Sequence, residues 1–330
     1  MKHIATSSLP VMIFAGTVLL VYILYVRLWL TWLIQRIRKK KTCKILTNRI
    51  AIYLHIVAGV GFVCMAYAYF IEPYWPQVNV ISIQTEKLTS ATFRIVHISD
   101  THCDAKVRLE KHLPGIISSL KPDIIVFTGD TINDKEALPL FQDTMRKLRA
   151  PLGKFAVNGN WDCWYRSTLD LFDNTGFEEL RTDEKTVEKD GECISISGLA
   201  FENGKNFQDV AEKLQPENFN LLLYHNSDLM DHTDNSPVDL YLCGHTHGGQ
   251  VALPFYGALT TLSKHGKKYE AGLYQQEHIR LYVNRGIGME GGKAPRVRFW
   301  ARPEIAVFDI TPKQSESTHL STQTPVDAKR

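Results

Sequence analysis

Val238-Asp239-Leu240-Tyr241-Leu242-Cys243-Gly244-His245-Thr246-His247-Gly248-Gly249 is an apolar run that ends abruptly in glycine-flanked histidines. The run reads as a buried β-strand, and ligands in α/β proteins bind just beyond strand ends. Four other places repeat the pattern. Asp100-Thr101-His102 follows Phe93 to Ile98, and Gly129-Asp130 follows Ile124 to Thr128. Gly159-Asn160 follows Phe155 to Asn158, and His225 follows Leu221 to Tyr224. Asp100, His102, Asp130, Asn160, His225, His245 and His247 make three oxygen donors and four imidazoles, with no thiolate. Such a set suits a two-metal hydrolytic site. Singly these signals are weak: a lone His225 reads as a packed histidine and Asn160 as a turn residue. Their shared position at strand ends carries the metal reading.

Around these clusters, short apolar runs alternate with helical patterns. Asp104 to Leu120 and Asn133 to Arg149 read as helices, and Arg166 to Asn174 and Asn206 to Leu214 as shorter ones. Strand-like runs continue at Cys193 to Ser197, Ile279 to Asn284 and Ile305 to Ile310. The early strand–helix order predicts an α/β fold with helices over a largely parallel sheet, and the closer-spaced later strands predict a second sheet. Residues 76–310 are expected to form this domain. Residues 311–330 are polar, rich in Ser, Thr and Gln, and read as a disordered tail.

The net charge of +3 is unevenly placed. Residues 1–75 hold nine Lys or Arg against Glu72 alone, whereas residues 76–330 hold 29 basic and 34 acidic residues. The basic excess therefore belongs to the N-terminal part. No arginine stripe with interleaved aromatics marks a nucleic-acid partner. Leu9 to Ile34 and Ile50 to Ile71 are apolar all round, and the second has no formal charge. Its 22 residues span about 33 Å as a helix, enough for a bilayer core. Residues 1–75 are thus expected to be a two-helix membrane anchor. Gln35 to Arg49, with seven basic residues and no acid, reads as its cytoplasmic loop. The six cysteines form no Cys-x-x-Cys pair and read as packed free thiols.

Two divalent ions about 3.5–4 Å apart can clamp a phosphoryl group and acidify water, which calls for one bridging carboxylate and several neutral imidazoles. Asp130 is the natural bridge, because Gly129 allows a tight backbone turn beside it. His245 and His247 are two residues apart and can each face a different ion. With these five motifs, residues 92–310 resemble the calcineurin-like metallophosphoesterase superfamily. The resemblance implies a four-layer α/β/β/α sandwich. It implies one ion on Asp100, His102, Asp130 and His247, and another on Asp130, Asn160, His225 and His245. It also implies in-line attack on phosphorus, with Asp130, Asn160, His245 and the residue at 161 around the reacting phosphate. The donors favour manganese; iron, zinc and magnesium are alternatives.

The family's third motif usually reads Gly-Asn-His-Asp or Gly-Asn-His-Glu, and this chain has Gly159-Asn160-Trp161-Asp162. An indole donates a hydrogen bond but passes on no proton at neutral pH. The substrate is therefore expected to have a leaving group that needs no acid, such as a phosphate monoester leaving a pyrophosphate. A related branch of the superfamily, the UDP-2,3-diacylglucosamine hydrolases of lipid A synthesis, also replaces this histidine, there with arginine, and in length and in its apolar N-terminus the chain resembles the membrane-anchored branch that performs the same reaction. That resemblance implies a lipid-linked or nucleotide-linked substrate, a bacterial inner membrane, and a catalytic domain on the cytoplasmic face. The positive-inside rule favours the opposite face if both segments span. The alternatives are a broad phosphodiesterase acting on cell-envelope or phospholipid substrates, and a catalytically silent membrane scaffold. The complete ligand set argues against the scaffold.

Leu253 to Leu259 reads either as the rim of an acyl-chain groove or as a loop packed on the core. Arg285, Arg296, Arg298 and Arg302 read as ion-paired surface residues more readily than as phosphate ligands. Gly286-Ile287-Gly288-Met289-Glu290-Gly291 matches a dinucleotide fingerprint, but Gly292-Lys293-Ala294-Pro295 does not open the helix that a pyrophosphate would need. It reads as a turn lining the cleft.

Overall fold

The computed structural model describes residues 4–38, 45–291 and 295–313. Two long helices come first, α1 (Ile4–Ile37) and α2 (Arg49–Phe70). Asn48 caps α2, its side-chain oxygen accepting the N–H of Ala51 at 2.8 Å. The Tyr22 hydroxyl donates to the carbonyl of Ala58, and the Tyr25 ring meets His55 edge-on. Partners fall in number along α2 as they rise along α1, so the helices are antiparallel. Both are long and apolar enough to cross a membrane and expose large apolar side chains on all sides. The basic residues 39–44 lie outside the described residues.

The rest begins with β1 (Gln77–Thr85), β2 (Phe93–Ile98), α3 (Leu113–Ser119), β3 (Ile124–Phe127) and α4 (Leu138–Lys147). β4 (Lys154–Ala156), α5 (Asn160–Tyr165) and β5 (Glu178–Glu179) follow. Then come β6 (Thr182–Lys189), β7 (Glu192–Leu199), α6 (Phe207–Ala211), β8 (Phe219–Leu223) and β9 (Leu240–Cys243). A small hairpin, β10 (Ala252–Leu253) with β11 (Gly257–Ala258), precedes β12 (Gly272–Gln276), β13 (Ile279–Val283) and β14 (Glu304–Pro312).

Two six-stranded mixed sheets result, ordered β1-β14-β2-β3-β4-β5 and β12-β13-β9-β8-β7-β6. The first is parallel except where β14 meets β2; the second is parallel from β13 through β7, with antiparallel β12 and β6 at its edges. One core lies between the sheets: Ile95, Ile124, Val126 and Phe308 from the first meet Ile196, Leu221, Leu223 and Leu242 from the second. Each such fully buried side chain contributes about 1.5–3 kcal/mol through lost apolar hydration. A second core packs Val96, Ile125 and Phe127 under Leu113, Ile117, Phe141 and Met145 of α3 and α4. A third packs Leu222, Tyr241 and Leu281 under Phe207 and Val210 of α6 and the turn at Leu229 and Met230.

Several helices differ from expectation. The expected helix over 104–120 is helical only from Leu113, with Pro114 in its first turn. Asp104 instead stays in a loop, paired with Arg108 and Arg296. That over 133–149 starts at Leu138, again beside a proline. No helix spans 166–174, which is a series of turns; the helix starts earlier, at Asn160. β14 runs past the expected domain end at residue 310, because Thr311 and Pro312 continue it in register with Gln84 and Thr85. Residues 314–330 lie outside the described residues. Cys64, Cys103, Cys163, Cys193 and Cys243 are free thiols, and Cys43 lies outside the described residues.

Candidate metal centre

The loops after β2, β3, β4, β8 and β9 leave their sheets at one common edge. Asp100, His102, Asp130, His245 and His247 all have left-handed backbones, with φ of +48°, +36°, +60°, +73° and +52°. Such conformations cost of order 1–3 kcal/mol each in a non-glycine residue, and they persist where neighbouring bonds fix them. Here Asp100 N–H donates to the carbonyl of Gly129 and His102 N–H to that of Asp130. Gly244 N–H donates likewise to His225. Two glycines permit this crowding. A Cβ on Gly129 would sit 2.4 Å from the nitrogen of Gly159, and one on Gly244 would sit 2.0 Å from an Asp100 oxygen.

Asp162 ties the second and third loops together. Its buried carboxylate accepts the N–H groups of Asp130 (2.8 Å), Thr131 (2.9 Å) and Gly159 (2.9 Å), and the Thr131 hydroxyl. Sequence reading gave this residue no role; its place three after Gly159 was the available signal. Asn133 does similar work for the first loop. Its side-chain oxygen accepts from His102 Nδ1 at 3.0 Å, and its amide donates to the carbonyls of His102 and Met289 and to Asp104.

Six of the seven expected donors come together in two clusters. Ligand atoms of Asp100, His102 and His247 lie within 4.8 Å of one another, as do those of Asp130, His225 and His245. Asp130 Oδ2 stands between the groups, 3.4 Å from His102 Nε2 and 3.3 Å from His225 Nε2. His247 Nε2 lies 3.4 Å from Asp100 Oδ1. His225 Nδ1 donates to the carbonyl of Thr128 at 2.7 Å, which turns its Nε2 inward. His102 Nε2 and Asn160 Oδ1 are buried with no hydrogen-bond partner. Orphaned acceptors of this kind are costly unless something else meets them, and a cation does. The residues therefore fit two divalent ions.

Electrostatics point the same way. Burial opposes ionisation of Asp130, but the nearby positive charges of His225 and His102, at 3.3 and 3.4 Å, overcome it and hold the carboxyl well below its ordinary range. Burial lifts Asp100 to about 6. Burial works against a charged His225 too, yet Asp130 raises it to about 10. Burial and the neighbouring His225 charge lower His245 to about 4. Burial and His102 push His247 well down. The metal-free centre thus supplies its own positive charge on an imidazole, where cations would otherwise balance two aspartates.

Trp161 donates its backbone N–H to Asp130 Oδ1 at 2.9 Å, and its ring stands edge-on to His102. Its buried indole N–H has no partner. The 286–291 segment is non-helical, as expected, and packs on the first loop: Gly288 N–H donates to the Asp100 carbonyl, and a Cβ on Gly288 would strike the Thr101 carbonyl oxygen at 1.9 Å. Glu290, in that segment, was not anticipated; burial raises its carboxyl, with His102 and Asp130 the next influences. Arg285 pairs with Glu304, Arg296 with Asp104, and Arg302 donates to the carbonyls of Trp75 and Pro76. Arg298 departs from the surface reading: it is fully buried and donates to the carbonyls of Arg285, Gly286, Gly288 and Ala301.

Two buried Asp/His clusters at the joined edges of two mixed sheets are consistent with a dimetal centre of the metallophosphoesterase class. Residues 93–249 match the calcineurin-like phosphoesterase family. The chain is 36% identical over 268 residues to the uncharacterized metallophosphoesterase YkuE of Bacillus subtilis (strain 168), covering 77% of this chain and 91% of that protein. It is 28% identical over 278 residues to the UDP-2,3-diacylglucosamine pyrophosphatase LpxG of Chlamydia muridarum, covering 65% of this chain and 82% of that one. Against the phosphodiesterase YaeI of Escherichia coli (strain K12) it is 28% identical over 267 residues, covering 77% and 94%. This chain belongs to the calcineurin-like metallophosphoesterases and is a metal-dependent phosphoester hydrolase.

Proposed function

We propose that residues 76–310 are the four-layer α/β/β/α catalytic domain of a membrane-anchored dimetal hydrolase, and that it cleaves UDP-2,3-diacylglucosamine to UMP and 2,3-diacylglucosamine 1-phosphate. The observation that carries the reading is the partnerless, buried indole N–H of Trp161 beside His102. Asp100, His102, Asp130 and His247 would hold one cation, and Asp130, Asn160, His225 and His245 the other. Manganese suits the mixed oxygen and imidazole donors, with iron, zinc and magnesium as alternatives. Bound there, the pair supplies charge stabilisation at phosphorus and acidified water. The protein's own part is positioning. Trp161 offers one N–H to a phosphate oxygen and no proton to the leaving group. A departing nucleoside monophosphate needs none, whereas a simple alkoxide does. The relative LpxG, named for this pyrophosphatase activity, supports the choice.

A second reading has its own support. α1 and α2 are antiparallel and α2 is unbroken over 22 residues, which fits two full spans. With Gln35–Arg49 cytoplasmic, the domain then faces outward and acts on envelope phosphodiesters; YaeI is named a phosphodiesterase. A UDP-linked substrate instead requires the cytoplasmic face of the inner membrane. Detergent-solubilised protein with Mn²⁺ should release UMP from UDP-diacylglucosamine. Hydrolysis of phosphodiesters alone, with the domain digested by protease added outside intact cells, selects the second reading.

A further inference from the structure

Strand directions decide which edge of the domain meets the anchor. β1 is parallel to β14, and β14 is antiparallel to β2. Gln77 and Glu304 therefore start their strands at the edge where β2 ends and the metal loops leave. α2 stops at Phe70, a few residues before Gln77. The apolar hairpin is delivered to the catalytic edge. The opposite edge carries the turns at Asp190-Gly191 and Glu277-His278.

The junction is fixed by specific bonds. Buried Glu72 accepts the N–H groups of Trp300 at 3.0 Å and Ala301 at 2.6 Å. Arg298 N–H donates to the Ala68 carbonyl at 3.0 Å, and the Tyr67 and Phe299 rings meet edge-on. Phe299 bridges to Val251, and its carbonyl accepts the N–H of Ala252 at 2.8 Å. The β10–β11 hairpin is thereby held beside the end of α2.

What these loops expose is unusual. Phe255, Leu262 and Trp300 are large, apolar and exposed, and each has a left-handed backbone, with φ of +66°, +53° and +57°. Bulky residues seldom adopt that conformation, and such strain collects at ligand-contacting sites. Tyr256, Tyr74 and Trp75 are exposed nearby in the chain. Cations are interleaved: Lys267 Nζ stands 4.3 Å over the Tyr256 ring, and the Arg302 guanidinium 4.0 Å over that of Trp75. Aromatic rings mixed with Lys and Arg are the make-up of polypeptide at an anionic headgroup layer.

We infer that Phe255, Tyr256, Leu262, Trp300 and Trp75 form a lipid-binding face that seats on an anionic bilayer and holds the metal centre at headgroup depth. This deepens, and rests on, the membrane-anchored reading above. The substrate's phosphate is then presented by a membrane lipid rather than taken from solution.

Full-length protein is reconstituted in 3:1 phosphatidylethanolamine:phosphatidylglycerol vesicles. Nitroxides are placed through Phe255→Cys, Trp300→Cys or Glu277→Cys, with Cys43, Cys64, Cys163 and Cys193 changed to Ser; buried Cys103 and Cys243 stay. Unchanged hydrolysis of soluble bis(p-nitrophenyl) phosphate qualifies each variant. Labels at 255 and 300 should be shielded from an aqueous nickel chelate at least tenfold relative to the label at 277, and should lose that shielding in detergent micelles. Equal exposure of all three labels on protein that sediments with vesicles overturns this inference and leaves the anchor intact. Protein that does not sediment with vesicles overturns the anchor itself, and the inference with it.

Discussion

The two sheets contribute to the centre unequally. The first supplies Asp100, His102 and Asp130 to the two clusters, with Asn160 the proposed third oxygen; the second supplies His225, His245 and His247, imidazoles only. The oxygen half brings the negative charge and needs elaborate support from Asp162, Asn133 and Ser99. The imidazole half is held largely by strand geometry and by single bonds such as that from His225 to Thr128. Neither half can bind two cations alone. The centre exists because the inner core packs one sheet edge onto the other.

Asp130→Asn should break this asymmetry most severely. It keeps the shape but removes the charge both clusters face, and should lower phosphodiester turnover about 10³-fold or more, equivalent to ~4 kcal/mol. Thermal unfolding of the metal-free protein should stay cooperative, and bound metal measured by mass spectrometry should fall. Asp162→Ala acts on the same half through the backbone. Three buried N–H groups lose their acceptor, so stability should fall by about 3 kcal/mol, read from the urea midpoint. A matched loss from any single substitution on the imidazole side would show the support to be symmetric after all.

Protons sharpen the comparison further. His225, raised to about 10 by Asp130 against the effect of burial, is charged at neutral pH without metal. Its folded value lies above its unfolded one of about 6.5. The pairing thus stabilises the metal-free protein fully below pH about 6.5 and fades as pH rises through 10. Coordination needs the neutral ring, so loading expels a proton and the apparent Mn²⁺ affinity should climb about tenfold per unit between pH 7 and 9. Calorimetry in two buffers of different ionisation enthalpy measures that release; a pH-independent affinity would contradict it. The smallest change concerns Trp161. Trp161→His restores a proton carrier and should raise turnover of alkyl phosphodiesters relative to pyrophosphates by about tenfold, within the span of general acid catalysis. Equal loss on both substrates would remove the leaving-group argument.

The six clustered Asp and His side chains were legible in the sequence, because each follows a run apolar enough to be a buried strand. The central strands were legible for the same reason. β1 and β6 were not: Thr182-Asp183-Glu184-Lys185-Thr186-Val187-Glu188-Lys189 buries only Val187, and its charges protect an edge rather than announce a strand. The false helix over 166–174 came from composition without a start signal, whereas the true start lies at Gly159 and Asp162. Asp162 was harder to read, because most of its partners are backbone N–H groups and its one mark in the sequence is its place three after Gly159.

Arg298 has a consequence outside catalysis. Its backbone is tied to Ala68 near the end of α2, and its guanidinium lies 3.4 Å from His247 Nδ1. One residue therefore connects the greasy helix to a ligand of the reaction centre. Bilayer thickness governs how far such a helix leans, and any lean moves Arg298 with it. If α2 spans a bilayer as proposed, a change of thickness that tilts it would reach His247 through Arg298 without an effector molecule.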